Sequence, residues 1–260
     1  MLTCARTAGF EAPYDRQPIV GASRVAGQLR EHGLVMVNGL TSREAVLAFA
    51  RRIMTLTPHR DSDPDALTTI HDIGWKAQQP GLAGLGSGDL RAHTERSSVP
   101  EPPRLMLLVC LRPAVTGGMA LLTDGQAVLD HLVTHAPGAA AHLSLPGTAF
   151  FGDGGGHPSQ IFTRHPDGRV SLRFRQDDLV QFSPLIERFL PDLRAAISAH
   201  EKSVVLSQGQ GYLIDNGRYL HARTAFSGQR LCVRALGEPL FPLQTGFGTG
   251  GAGRDGWRTP

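Results

Sequence analysis

The chain has 260 residues, enough for one large domain that buries most of its apolar surface without a disulfide or a structural metal. Hydrophobic residues make up 41% and charged residues 19%, which excludes intrinsic disorder, and no apolar run reaches the roughly 20 residues that span a bilayer. Basic residues number 26 against 23 acidic, and beyond Arg51 and Arg52 they do not cluster, which argues against nucleic-acid binding and suits a small anionic ligand.

Residues 1–14 lack the basic-then-apolar layout of a signal peptide, so a cytoplasmic location is expected. Cys4, Cys110 and Cys232 form no CxxC pair and read as thiols in a reducing compartment. A helix is predicted from Ser23 to Glu31, closed by Gly33, followed by a short strand from Leu34 to Val37. Thr41, Ser42, Arg43 and Glu44 read as a capping box that opens a helix through about Met54. Leu67 to Ile73 is a predicted strand, and residues 77–91, rich in glycine, are predicted to be a mobile loop inserted as a lid. The continuous apolar run from Arg104 to Leu111 predicts a central strand covered on both faces.

Asp124 is placed to N-cap a helix through about His135. Two strands flank Asp167-Gly168, a hairpin turn pair, between Phe162 and Phe174. Pro184 to His200 has helical apolar spacing, with Pro191 at a bend or restart. Three short strands follow at Tyr212–Ile214, Tyr219–Thr224 and Arg230–Leu236, before a glycine-rich tail from residue 245 to 260 that offers few apolar anchors. Many short strands with a few helices and no βαβ rhythm predict a mainly β sandwich or barrel with helices packed outside, one domain over residues 1–244.

The chemistry concentrates in two segments. His93 and Glu95 lie two residues apart, so an extended chain projects both to one face, where a single metal could accept them. Such a triplet is weak alone. His221 follows a turn between two predicted strands, and Arg230 and Arg234 come nine and thirteen residues later, an even number apart and therefore on one side of a strand. Paired guanidiniums beside a histidine suit carboxylates, which arginine grips in bidentate fashion. Two histidines and one carboxylate on one face of a metal, with the other face open, form the facial triad of non-haem iron(II) oxygenases.

The runs from His93 to Gly118, Asn216 to Phe226 and Gly228 to Arg234 resemble the taurine dioxygenase superfamily, and the Glu of His-Thr-Glu is similar to its clavaminate synthase and amino-acid hydroxylase branch. The resemblance implies a double-stranded β-helix, or jelly roll, with Fe(II), 2-oxoglutarate as cosubstrate and O2. It implies His93, Glu95 and His221 as iron ligands, Arg230 as the residue for the far carboxylate of 2-oxoglutarate, and Arg234 for an acidic group of the substrate. It further implies hydroxylation of an unactivated C–H bond in a small carboxylate-bearing molecule, such as an amino acid of specialised metabolism or antibiotic biosynthesis. Where the family carries Gly-Gly-x-Thr, this chain has Gly117, Gly118, Met119 and Ala120, leaving Thr123 as the substitute hydroxyl. Asp177 or Asp178 falls where the hydroxylases hold the substrate amine, with a solvated acidic turn as the competing reading.

The remaining features read as structural. The glycines of residues 152–157 lack the ending of a phosphate loop and are read as a flexible loop, with a second lid near the substrate as the further expectation. His59, His131, His135 and His200 are read as surface or packing residues, and Asp215 and Asn216 as turn residues. A cupin-like metal hydrolase and a noncatalytic binding protein on the same fold are the competing functions.

Overall fold

The computed structural model describes residues 22–249. Cys4, the N-terminal segment and the tail from residue 250 onward lie outside these described residues.

Two antiparallel sheets face one another, as expected of a jelly roll. The larger places the strands Leu34–Val37, Gly211–Asp215, Leu105–Arg112, Leu231–Pro239 and Met54–Leu56 side by side, with Leu67–Ile70 also on Leu231–Pro239. The smaller runs Glu201–Val204, Ala120–Asp124, Tyr219–Arg223 and Leu90–His93. Met106, Cys110, Tyr212 and Cys232 of the larger sheet meet Ala120, Leu122 and Tyr219 of the smaller in the central core. Side chains alternate across a strand, so Leu105, Leu107 and Val109 point the other way, under the helices Ala22–His32 and Arg43–Ile53. The strand predicted to be covered on both faces therefore is.

A third core lies behind the smaller sheet. There Leu220 and Ala222 pack with Val128, Leu129 and Leu132 of the helix Gly125–His135 and Leu193 and Ile197 of the helix Leu190–His200. Local chemistry accounts for the helix starts: Asp124 accepts from Gln126 N–H, and Ser42 accepts from Ala45 N–H. Ser42 rather than Thr41 is thus the cap. Pro191 stands in the first turn of a new helix, so the predicted Pro184–His200 element is split into Pro184–Glu187 and Leu190–His200. No helix of the described residues is long and apolar enough to cross a membrane.

Three further expectations change. The loop 77–91 begins in the end of one short 3₁₀ turn, Gly74–Gln78, holds a second, Ala83–Leu85, and is already strand from Leu90. The glycines of 152–156 connect a hairpin between the strands Ala149–Phe151 and His157–Ser159, and none of residues 152–157 lines a cavity described below, which removes the second lid. The start of the tail is anchored at Phe247, which is fully buried and whose N–H and C=O both pair with Val170. Cys110 and Cys232 are buried free thiols, as expected, but they stand directly opposite each other on neighbouring strands.

Candidate active site

His221 lies in the middle of Tyr219–Arg223 and pairs in register with His93 on Leu90–His93, so the two imidazoles share a face, with ring centroids 4.2 Å apart. The strand ends at His93, not beyond Glu95 as an extended His-x-Glu run would require, and Glu95 lies in a turn in which Arg96 adopts a left-handed conformation (φ 49°) that is rare for a side chain this large. The ligand atoms of His93, Glu95 and His221 all lie within 4.8 Å of one another, and no other such group of His, Cys, Asp or Glu occurs among the described residues.

The donor chemistry fits a divalent metal. His93 Nδ1 lies 2.8 Å from the Arg91 carbonyl, which can only accept, so Nδ1 carries the proton and Nε2 offers its lone pair. Burial, followed by the nearby His221, pushes the His93 pKa down to about 4, leaving a neutral ligand at physiological pH. Burial alone would raise the Glu95 carboxyl, but Arg234, and after it His221, outweigh burial and hold it well below the usual carboxylate range. Arg234 Nη1 donates to Glu95 Oε1 at 2.6 Å, and His221 Nε2 is 3.3 Å from the same oxygen.

Two cavities meet at this cluster. The outer, of roughly 530 Å³, is lined by His93, Glu95 and Arg234 and by Gly81, Gly84 and Leu85 of the predicted lid. Asp177 and Asp178 also line it. The inner, of roughly 60 Å³, is bounded by the three candidate ligands together with Ala120, Arg223 and Arg230. Arg234 borders both.

Most of the predicted residues are thus brought together. Arg230 is buried, stacks on Phe226 with its guanidinium carbon 5.7 Å from the ring centroid, and has no carboxylate partner among the described residues. Asp177 is held by Arg175 in a bidentate pair at 2.5 Å, whereas Asp178 has no partner among the described residues. Thr123 is not at the site. It pairs in register with Leu220, whose side chain lies in the core behind the sheet, and cross-strand partners share a face. Ala120 does line the inner cavity, so the hydroxyl lost there is not restored by Thr123.

Three residues escaped the sequence. Asn216, read as a turn residue, is buried and uses its amide on Glu95: Oδ1 accepts from Glu95 N–H at 2.7 Å and Nδ2 donates to Glu95 C=O at 3.0 Å. It also donates to the Pro103 carbonyl at 2.9 Å. The turn role belongs to Asp215, which accepts from Gly217 N–H. His59, read as a packing residue, lines the outer cavity, where burial and then Arg234 lower its pKa. Arg223, two residues beyond His221 and so on the same face, had its signal in that spacing.

The His93 shift carries a pH signature in metal-free protein. Its pKa is about 4 in the fold, against 6.5 ordinarily, so the unfolded chain binds the extra proton first as pH falls. This contribution is fully present above about pH 6.5 and is lost progressively toward pH 4. Melting curves in chelator across that window should fall more steeply for wild type than for His93→Gln; parallel curves would refute the shift.

Comparison with known proteins agrees with this geometry. A structure of asparagine oxygenase in complex with Fe(II), 2S,3S-3-hydroxyasparagine and succinate is similar at TM-score 0.63 and 16% identity, covering 82% of this chain and 77% of that one. The non-haem iron oxygenase OrfP in complex with Fe and alpha-ketoglutaric acid is similar at TM-score 0.63 and 16% identity, covering 82% and 79%. The PvcB protein of Pseudomonas aeruginosa is similar at TM-score 0.64 and 15% identity, covering 84% and 82%. At such identities these likenesses speak for the fold. A family model matches residues 4–236, most of the chain, and by that match the protein belongs to the taurine catabolism dioxygenase TauD, TfdA family.

Proposed function

We propose that the protein is an Fe(II)- and 2-oxoglutarate-dependent dioxygenase that hydroxylates an unactivated C–H bond of a small, amino-acid-like carboxylate. The observation that carries this reading is Arg230: a buried guanidinium without a carboxylate partner among the described residues, on the wall of a cavity that reaches the His93, Glu95 and His221 donors. Burying an unpaired charge costs several kcal/mol or more unless a counter-ion is supplied. A short dicarboxylate would supply it, with Arg230 holding one carboxylate.

His93, Glu95 and His221 would hold the iron, which together with 2-oxoglutarate and O2 supplies an oxidant able to take hydrogen from a C–H bond. Arg234, held against Glu95, keeps that carboxylate ionised and lines the outer cavity, where the substrate carboxylate would sit. Asp178, not engaged by Arg175, is the free anion for a substrate amine. Tyr212 lines the inner cavity without a hydrogen bond to any described residue, and burial raises its phenol, so it stays a neutral donor where Ala120 offers none. The hydroxyasparagine bound to the asparagine oxygenase and the hydroxyarginine bound to OrfP support this substrate class.

Oxygen consumption that requires both 2-oxoglutarate and an amino acid tests the reading, and its absence with every amino acid would favour a hydrolase or a binding protein. Within it, Arg234→Met should raise the substrate KM more than the 2-oxoglutarate KM, and Arg230→Met the reverse. Each change is expected to be tenfold or more, on the order of a lost charge-assisted hydrogen bond. The opposite pattern would overturn the assignment of the two arginines.

A further inference from the structure

The inner cavity holds one cation more than the proposed chemistry uses. Arg223 is buried, and its Nη groups donate to three carbonyls of the glycine-rich loop: Nη1 to Gly84 at 3.3 Å, and Nη2 to Gly86 and Gly88 at 2.6 Å each. Its Nε is buried without a partner among the described residues. The same loop is tied to the residues just beyond Arg223, through Phe226 N–H to Ser87 C=O and Ala225 N–H to Asp89 Oδ1. Gly84 lines both cavities, so wherever this loop goes, the walls of both go too.

Every second residue from Gly84 to Gly88 is glycine, which loses the most conformational freedom on ordering and brings no side chain to hold itself in place. The loop therefore depends on outside anchors. Arg223 is the anchor with a foot in the cosubstrate cavity. It shares the Phe226 ring with Arg230, their guanidinium carbons lying 4.8 and 5.7 Å from its centroid. Burial and then Arg230 bring the Arg223 pKa down to about 10, so it remains charged at physiological pH. Two like charges beside one small cavity repel until an anion enters between them.

We propose that Arg223 is a positioning residue that joins the cosubstrate cavity to its lid: it clasps the carbonyls of Gly84, Gly86 and Gly88, and an anion received at Arg230 steadies the clasp. This rests on the cosubstrate reading of Arg230 given above. Arg223 does not touch the reacting atoms; it acts through the loop. Binding of 2-oxoglutarate thus tightens the wall of the outer cavity before substrate arrives, which keeps water from the oxidising centre.

Hydrogen exchange of residues 83–89 tests this in the full-length protein, with and without anaerobic Fe(II) and 2-oxoglutarate, for wild type, Arg223→Lys and Arg223→Met. Without ligand, Arg223→Met should raise exchange in the loop about tenfold or more, the scale of a lost charged hydrogen bond, while residues 105–112 stay protected. Arg223→Lys, which keeps the charge but reaches fewer carbonyls, should fall between and guards against a variant that fails to fold. With ligand, loop exchange should slow further in wild type and not in Arg223→Met, and the 2-oxoglutarate KM should rise more than kcat falls. Unchanged loop exchange in both ligand-free variants would overturn the clasp. Binding of 2-oxoglutarate to wild type without added loop protection, or with equal protection in Arg223→Met, would overturn the coupling alone. No binding to wild type at all would overturn the coupling and the cosubstrate reading together.

Discussion

His221→Ala is expected to lower iron(II) affinity by more than about 100-fold and to bring oxygen consumption to background. Loss of groups that merely orient a metal ligand costs 10–100-fold in affinity, and loss of a ligand itself should exceed that. The geometry makes the effect specific. His221 is buried on the wall of the inner cavity, with Nε2 3.3 Å from Glu95 Oε1 and its ring 4.2 Å from that of His93. Removing the imidazole leaves one histidine and one carboxylate, too few to hold a divalent ion against buffer. The measurement is anaerobic titration of metal-free protein with iron(II) and 2-oxoglutarate, following the visible charge-transfer band of the chelate. Wild type should develop the band and His221→Ala should not. A band of wild-type strength in the variant would remove His221 from the ligand set.

Asn216→Ala should be nearly as damaging, through the fold and the site at once. The side-chain amide satisfies Glu95 N–H, Glu95 C=O and Pro103 C=O in a buried position. Each buried group left unpaired costs about 1–3 kcal/mol, so the substitution should destabilise the metal-free protein by roughly 3–5 kcal/mol. For a domain of this size that is a fall of about 10 °C or more in melting temperature. A backbone no longer held on both sides of Glu95 also lets its carboxylate wander, and iron affinity should drop by about 10–100-fold. Asn216→Asp separates the two effects. Asp keeps the acceptor for Glu95 N–H but sets an oxygen against two carbonyls, so it should melt at least as low as Ala. A variant with wild-type melting and wild-type iron affinity would show that the amide positions nothing.

Much of this site was legible in the residues. The His93-x-Glu95 spacing, the later His221 and the even separation of Arg230 and Arg234 are local patterns, although Glu95 reaches the site from a turn just past the strand that ends at His93. The fold was legible for the same reason: Asp124 caps its helix, and Asp167-Gly168 turns its hairpin as local hydrogen bonding and backbone freedom require. Thr123 shows where this kind of reasoning stops. Three residues from Ala120 is an odd step along a strand, so the two side chains stand on opposite faces, and only the pairing with Leu220 reveals that the Thr123 face is the one under the helices.

What the amino-acid sequence determined by itself, then, is the set of elements and the donor chemistry, because periodicity, caps and ligand spacing act over a few residues. The tertiary structure alone decided which groups hold those donors. Asn216 reaches Glu95 across 121 residues of chain, Arg223 reaches the loop carbonyls across as many as 139, and Phe247 closes the core beside Val170. Such contacts depend on strand register and on how two sheets face each other. A side-chain amide that finds one backbone and a guanidinium that finds three carbonyls leave no local pattern, since their partners are main-chain groups that every residue carries.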